Sequence, residues 1–215
     1  MRDLTILYHS SNREDSEFER KVIQTINNVR EDIPVVSVTQ EPMDFGTNIC
    51  VGKHECCEVN LFRQRLIGLK AIKTKFVILA ESDVLYCPDY FEKAPMIEGH
   101  IFLYTNVWVL YHMKEKNDNL FHFKERCEGT QIADRETMIK YCEKKLEGKP
   151  EWGTKGDHAN KTDRLLLESG WTGEPVITCK TGDGNRKYTQ VKRASPKGEI
   201  PYWGKTENVI WNYLS

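Results

Sequence analysis

The chain lacks any apolar run approaching the roughly 20 residues that a helix needs to cross a bilayer. Its opening Met1-Arg2-Asp3-Leu4-Thr5-Ile6-Leu7-Tyr8 reads as a strand rather than as a signal peptide. Neither sign of charge is in excess: 31 Lys and Arg face 32 Asp and Glu, for a formal net charge of −1. That balance excludes a polycation that coats nucleic acid through bulk charge, so any nucleic-acid contact has to be local. There is no internal repeat, no low-complexity tract and no composition shift sharp enough to mark a linker, and 215 residues suffice for a single domain with a sizeable core. A disulfide framework is not expected either. The 7 cysteines are odd in number and scattered, which fits free thiols in a reducing, cytoplasmic setting with no membrane partner. Cys50, His54, Cys56 and Cys57 cluster, but without a C-x2-C knuckle, and adjacent cysteines do not easily face one tetrahedral ion, which argues against zinc.

What the chain does have is an apolar strand that ends in acid. Phe76-Val77-Ile78-Leu79-Ala80 runs directly into Glu81-Ser82-Asp83, followed by Val84-Leu85-Tyr86-Cys87-Pro88. A continuous apolar run is the pattern of a strand buried on both faces, as in a parallel sheet. The carboxyl ends of such strands form the edge where open α/β folds bind ligands. Two positions apart on an extended chain, Glu81 and Asp83 point the same way and can share one divalent cation, or a cation and a ribose, while Ser82 points elsewhere.

The surrounding pattern alternates. Leu4 to Tyr8 predicts a first strand with the polar loop His9-Ser10-Ser11-Asn12 at its end. Ser16-Glu17-Phe18-Glu19 has the form of a capping box, and Phe18, Val22, Ile23, Ile26 and Val29 recur at helical spacing. Pro34 to Val38 predicts a second strand, and Asn60 is placed to cap a second helix carrying Leu61, Phe62, Leu66, Leu69 and Ile72. Strand, helix, strand, helix, strand is a doubly wound α/β half whose loops meet at one edge. Beyond Pro88, Ile101 to Leu110 and Phe121 to Phe123 read as strands, and Asp134 to Leu146 reads as a helix stopped by Gly148 and Pro150. From Glu151 onward little regular structure is expected before a short closing helix.

Tyr8-His9-Ser10-Ser11-Asn12, the loop Gln40-Glu41-Pro42-Met43-Asp44-Phe45-Gly46, the helix start Asn60-Leu61-Phe62-Arg63-Gln64 and the acidic strand end Ala80 to Pro88 resemble nucleotide-sugar-dependent glycosyltransferases of the GT-A fold. More narrowly, they are similar to the small phage-encoded enzymes associated with DNA-base hypermodification. The resemblance covers roughly the first half of the chain and returns at Ile200-Pro201-Tyr202-Trp203-Gly204. It implies an α/β, GT-A-like single domain: a Rossmann-like half with a central, mostly parallel sheet over residues 1–90 that binds the nucleotide sugar, and an acceptor-binding half over 91–215 with its own strands and an irregular C-terminal segment. It implies Mn2+ or Mg2+ held against the donor diphosphate by Glu81-Ser82-Asp83, with Asp83 the direct ligand and Glu81 on the ribose or on metal-bound water. The chemistry asks for such an ion, because a divalent cation stabilises the charge that builds on a departing diphosphate. The implied donor is a UDP-sugar, and the implied acceptor is 5-hydroxymethylcytosine or a related hydroxymethylated base in phage DNA, in the host cytoplasm. A glycan acceptor, and a GT-A-shaped nucleotide-binding module that performs no transfer, stay open as alternatives.

By the same resemblance Ser10, Ser11 and Asn12 lie where the nucleoside binds, and Arg63 and Gln64 lie on the helix facing that edge. Lys53 offers a point charge to a phosphate. From Cys179 to Lys205 the chain carries 7 basic residues against 2 acidic ones, and Lys180 opens a glycine-rich stretch, Lys180-Thr181-Gly182-Asp183-Gly184-Asn185, suited to wrapping a phosphate with backbone N–H groups. Relatives supply a metal-ligating histidine near this position, where this chain has Cys179-Lys180-Thr181, and His158 is the candidate to replace it. An inverting transfer needs a carboxylate base, for which Asp134 and Glu136 are candidates, Asp134 being equally a helix cap; a retaining transfer needs none. Tyr104, Trp108, Tyr202 and Trp203 are the aromatics available to stack on an acceptor.

Overall fold

The structure is a computed structural model that describes residues 2–161, 169–182, 189–192 and 194–215. Strand β1 (Leu4–Ser10) is buried at every position, two residues beyond the expected Tyr8. Helix α1 (Ser16–Val29) buries Phe18, Val22, Ile26 and Val29, as its spacing predicts. Its cap is not Ser16 but Asp15, whose carboxylate accepts the N–H groups of Glu17 and Phe18. Glu19 is therefore free of capping and lies buried, accepting a 2.6 Å hydrogen bond from the Tyr8 hydroxyl.

Strands β2 (Val35–Thr39) and β3 (Thr47–Cys50) follow. Strand β3 escapes the sequence pattern because none of its residues is buried, so no apolar alternation marks it. Helix α2 (Glu58–Ala71) starts ahead of Asn60, with Cys57 at the cap position. Asn60 instead sits inside the first turn and is buried, its amide clamping Gly153 in both directions, with Nδ2 donating to the carbonyl at 2.9 Å and Oδ1 accepting from the N–H at 2.7 Å. Gly68 lets α2 lie flat on the sheet, since a Cβ there would fall 2.3 Å from Leu7 Cδ1. Strand β4 (Phe76–Glu81) pairs parallel to β1, which pairs parallel to β2, which pairs parallel to β3.

The next residues build two sheets at once. After the two-residue strand β5 (Val84–Leu85) and the short helix α3 (Pro88–Glu92), the run expected as one strand divides into β6 (Ile101–Tyr104) and β7 (Val107–Tyr111). The break falls at the polar pair Thr105-Asn106, whose groups turn to the 171–176 loop: Thr105 N–H donates to Trp171 and the Asn106 amide to Gly173. Strands β8 (Phe121–Glu125) and β9 (Gln131–Asp134), helix α4 (Arg135–Leu146) and strands β10 (Ser169–Trp171) and β11 (Val176–Lys180) complete the main body. The stretch after Glu151 is thus more regular than its composition suggests. It closes with the small hairpin β12 (Glu199–Ile200) and β13 (Gly204–Lys205) and helix α5 (Thr206–Val209).

The large sheet has the order β10-β6-β9-β4-β1-β2-β3, with β9 antiparallel to both its neighbours, and the smaller has the order β5-β11-β7-β8. This is a mixed α/β architecture around a central, mostly parallel sheet. Alternate residues of β1 and β4 serve opposite layers: Ile6, Tyr8, Ile78 and Ala80 pack on the α1 side, and Leu7, Val77 and Leu79 on the side of α2 and α4. Among the described residues, no helix is long and apolar enough to cross a membrane.

Because only Ser82 and Asp83 separate β4 from β5, the small sheet hangs directly from the carboxyl end of β4. Strand β11 runs antiparallel to β5, with Thr178 opposite Val84, and Cys179 N–H donates to the Asp83 carbonyl at 2.7 Å. That pairing brings the last residue of β11, Lys180, to the acidic strand end.

Candidate functional site

The ends of β1, β2 and β4 open onto a cleft of about 270 Å³ closed on one side by the start of α2. Glu81, Ser82, Asp83, Ser10, Ser11 and Lys180 all line it. The two acids do not share a partner. Glu81 Oε1 accepts from Arg65 Nη2 at 3.0 Å, whereas Asp83 Oδ2 accepts from Lys180 Nζ at 2.6 Å. The strand ends at Glu81, so the alternation that would have aligned the acids stops there, and Asp83 takes its direction from the start of β5.

The Glu81 side of the cleft is a buried network. Arg65 Nε donates to His9 Nε2 at 3.0 Å, so that ring nitrogen is an acceptor and the imidazole is neutral. Burial first, and the Arg65 charge second, hold the His9 pKa well below its usual value. Burial raises the Glu81 carboxyl, Arg65 draws it down and Asp83 pushes it up again, for a net rise. The backbone of Gly129 forms the opposite wall, where a Cβ would lie 1.8 Å from Glu81 Oε2. Tyr86 Oη accepts the Glu81 N–H at 2.9 Å and fixes the turn.

The Asp83 side holds a third carboxyl that sequence reasoning missed. Glu14, on the loop before α1, accepts from Thr181 Oγ1 at 2.7 Å. Burial, then the neighbouring Asp83, push its pKa up to about 7. Burial alone would discharge Lys180, but Asp83 more than offsets it, and the ammonium is held charged.

The other expected donor contacts divide. Ser10 and Gln64 line the cleft but also build its wall, Gln64 Nε2 donating to the carbonyls of Ser10 at 2.8 Å and Val38 at 3.1 Å. Asn12 adopts a left-handed backbone (φ 51°), and its Oδ1 accepts the N–H groups of Gln40 and Glu41, tying the loops after β1 and β2 together. Arg63 turns away from the cleft to donate to the Pro150 carbonyl at 2.8 Å. Lys53 pairs with Glu41 in solvent. Residues 183–188 and Arg193 lie outside the described residues, and with them most of the glycine-rich stretch and the basic residues Arg186 and Lys187.

Three expectations are displaced. His158 does not reach Asp83; it is 77% exposed and stands 3.1 Å from Glu58. Asp134 lies opposite Phe76, at the start of β4, roughly 17 Å from Glu81 at about 3.3 Å per residue. It caps α4 by accepting from Thr137 N–H at 3.0 Å, and it also accepts from Gly99 N–H at 2.7 Å. Burial would raise its carboxyl, but these bonds hold it below the usual range. Glu136 beside it pairs with Arg135 at the surface. Nor do the acceptor-side aromatics enter the cleft. Trp108 is core of the small sheet and donates to Asn106, Trp203 is buried and donates to the Pro175 carbonyl, and Tyr202, half exposed, rests edge-on against Trp203. Tyr104 is likewise buried and donates to the Glu174 carbonyl.

In their place the structure brings Arg65, Lys124 and Arg126 to the cleft. Arg65 had a legible signal: it interrupts the apolar stripe Phe62, Leu66, Leu69, and an arginine on a buried helix face requires a buried partner.

The donor chemistry of Asp83 and Glu81, hard carboxylate oxygen, would suit Mn2+ or Mg2+. Their surroundings do not, because each carboxylate already carries a cationic side chain. Among the described residues, no group of three or more His, Cys, Asp or Glu is placed to hold a metal ion, the Cys50 to Cys57 cluster included.

No protein-family model matches the chain, and no curated protein matches it. Among solved structures it is similar to the bifunctional IspDF from Campylobacter jejuni, with 12% identity, 77% of this chain and 52% of that one covered, and a TM-score of 0.41. It is also similar to S. aureus TarS 1-349, with 9% identity, coverage of 82% and 60%, and a TM-score of 0.44. A third is a glycosyltransferase involved in the glycosylation of the major capsid of PBCV-1, with 13% identity, coverage of 79% and 81%, and a TM-score of 0.40. The chain spans about half of the first of these and 60% of the second.

Proposed function

We propose that the cleft binds a nucleoside diphosphate sugar and transfers the sugar to a hydroxyl acceptor. One observation carries this reading: the buried carboxyl end of a central parallel strand delivers Glu81 and Asp83 to a cleft in which cations stand beside them, Arg65 at 3.0 Å and Lys180 at 2.6 Å. Carboxylates accept ribose hydroxyls, while guanidinium and ammonium groups bind phosphate oxygens. The edge of the sheet is also where open α/β folds hold nucleotides.

In the transfer, the bond from the anomeric carbon to the β-phosphate oxygen breaks and leaves its electron pair on the diphosphate. A bond from the acceptor oxygen to that carbon forms, and the acceptor proton passes to a cleft carboxylate or to water. The residues contribute position and charge at the leaving group. A UDP-sugar is the donor that the sequence resemblance supports, and a hydroxymethylated base in DNA the acceptor. Lys124 and Arg126 at the cleft are local cations able to meet a nucleic-acid backbone.

Thermal melting with UDP, GDP, TDP and CDP tests the donor. A ligand at one hundred times its Kd adds about 2.7 kcal/mol, a shift on the order of 5 °C for a domain of this size. A shift with one nucleotide, lost in Lys180→Ala, supports the reading, and incubation of that nucleotide's sugars with hydroxymethylated DNA or with a glycan then distinguishes the acceptors. The absence of a shift with every nucleotide overturns it.

A further inference from the structure

We infer that the Lys180 ammonium stands where a donor-bound divalent cation would otherwise stand, so that the cleft binds and activates its diphosphate without Mn2+ or Mg2+. The inference rests on the nucleotide-sugar reading and replaces the metal that the sequence resemblance implied.

The contact is built by the backbone rather than by a chance swing of a long side chain. Strand β11 is locked to β5 through Thr178 opposite Val84 and Ile177 opposite Leu85, and Cys179 N–H holds the Asp83 carbonyl itself at 2.7 Å. With that register fixed, Lys180 has Asp83 as its immediate neighbour, and the two side chains are only 11% and 18% exposed. A metal ion bound to Asp83 would take an oxygen at about 2.0 to 2.2 Å. It would then stand within a few ångströms of an ammonium nitrogen 2.6 Å from the same carboxylate, and two cations at that spacing between largely buried side chains repel strongly. Glu81 offers no free carboxylate as a second site, because Arg65 holds its Oε1 at 3.0 Å and the Gly129 backbone closes over its Oε2.

Lys180 also has the capacity the role needs. An ammonium carries three N–H donors, and Asp83 accepts from one. As the bond from the sugar to the β-phosphate breaks, the electron pair left on the diphosphate oxygen faces that charge, and the ammonium keeps its proton throughout. Asp83 then serves as a positioning residue, aiming Lys180 rather than coordinating an ion.

The test uses the full chain and two readouts. Mn2+ titration, followed by the electron paramagnetic resonance of the free ion, is expected to show no uptake by the wild-type chain with or without UDP. The UDP-induced melting shift is expected to be equal in EDTA and in Mn2+. Lys180→Ala is expected to weaken UDP binding in EDTA by roughly 10- to 100-fold, as loss of a charge-assisted hydrogen bond does, and to take up Mn2+ at the freed Asp83. Lys180→Arg is expected to keep the shift in EDTA. Mn2+ uptake by the wild-type chain that Asp83→Asn abolishes, or a UDP shift that requires Mn2+, overturns the inference and leaves the nucleotide-sugar reading standing. No shift with UDP or any other nucleotide under either condition overturns both. Should Lys180→Ala fail to fold, the wild-type measurements decide alone.

Discussion

Arg65 Nη2 lies 3.0 Å from Glu81 Oε1, joining a helix arginine that is 1% exposed to the last residue of the central strand. Removing one member of such a pair leaves the other as an uncompensated buried charge. Arg65→Met should therefore cost about 3 to 5 kcal/mol in urea unfolding. Adding Glu81→Gln should return part of that loss, because the stranded charge goes with it. A double variant no more stable than Arg65→Met would show that packing on Phe62, over which the guanidinium also lies, sets the cost instead.

The wall behind Glu81 leaves no room for a methyl group. A Cβ on Gly129 would fall 1.8 Å from Glu81 Oε2, so Gly129→Ala has to swing the carboxylate off Arg65 or push the backbone away. The expected cost is about 1 to 3 kcal/mol, in the range of other overpacking changes. In a Glu81→Ala background the obstruction is gone and the same substitution should be nearly neutral. Equal costs in both backgrounds would place the strain elsewhere.

Much of the frame behind these residues was legible in the chain. The apolar runs of β1, β2 and β4 and the helical spacing of α1 and α2 report burial directly, and burial is what periodicity encodes. Strand β3 was hidden because this edge strand is held by backbone pairing to β2 and by the Asn48 amide, which donates to Ser37 and Thr39, and a polar anchor of that kind leaves no apolar alternation in the sequence. Strand β11 was hidden because four buried residues, Val176 to Cys179, are too few to separate a strand from a buried loop. The site was legible only on one side. Glu81 and Asp83 announce themselves at the strand end, but Lys180 is 97 residues from Asp83, and only the pairing of β5 with β11 brings them together. Asp134 shows the converse: its type and spacing suit a cap and a base equally, and only the sheet register, which puts it opposite Phe76, decides between them.

That register yields a clean control. Asp134 holds the N–H groups of Thr137 and Gly99 far from the cleft, so Asp134→Ala should lose about 0.5 to 2 kcal/mol of stability, as loss of a helix cap does. The UDP-induced melting shift should remain at its wild-type size. A variant that keeps its stability but loses the shift would return Asp134 to the functional machinery.

Glu14 gives the fold a stability that falls as pH rises toward neutrality. Its carboxyl is raised from 4.5 to about 7 in the folded chain, by burial and by Asp83. Between those values the folded state keeps a proton that the unfolded state has released, so stability falls as pH rises through that window. Below 4.5 both states are protonated and the group contributes nothing. Above about 7 the full penalty is present, on the order of 3 kcal/mol for a gap of this size. Glu14→Gln cannot ionise, and its amide oxygen can still accept from Thr181. Urea unfolding should therefore find the variant more stable than wild type at pH 8 and equal to it at pH 4. A variant less stable than wild type at pH 8 would mean that the ionised carboxylate is stabilised by the Lys180 charge more than it is penalised by burial and by Asp83, and would overturn the raised Glu14 carboxyl.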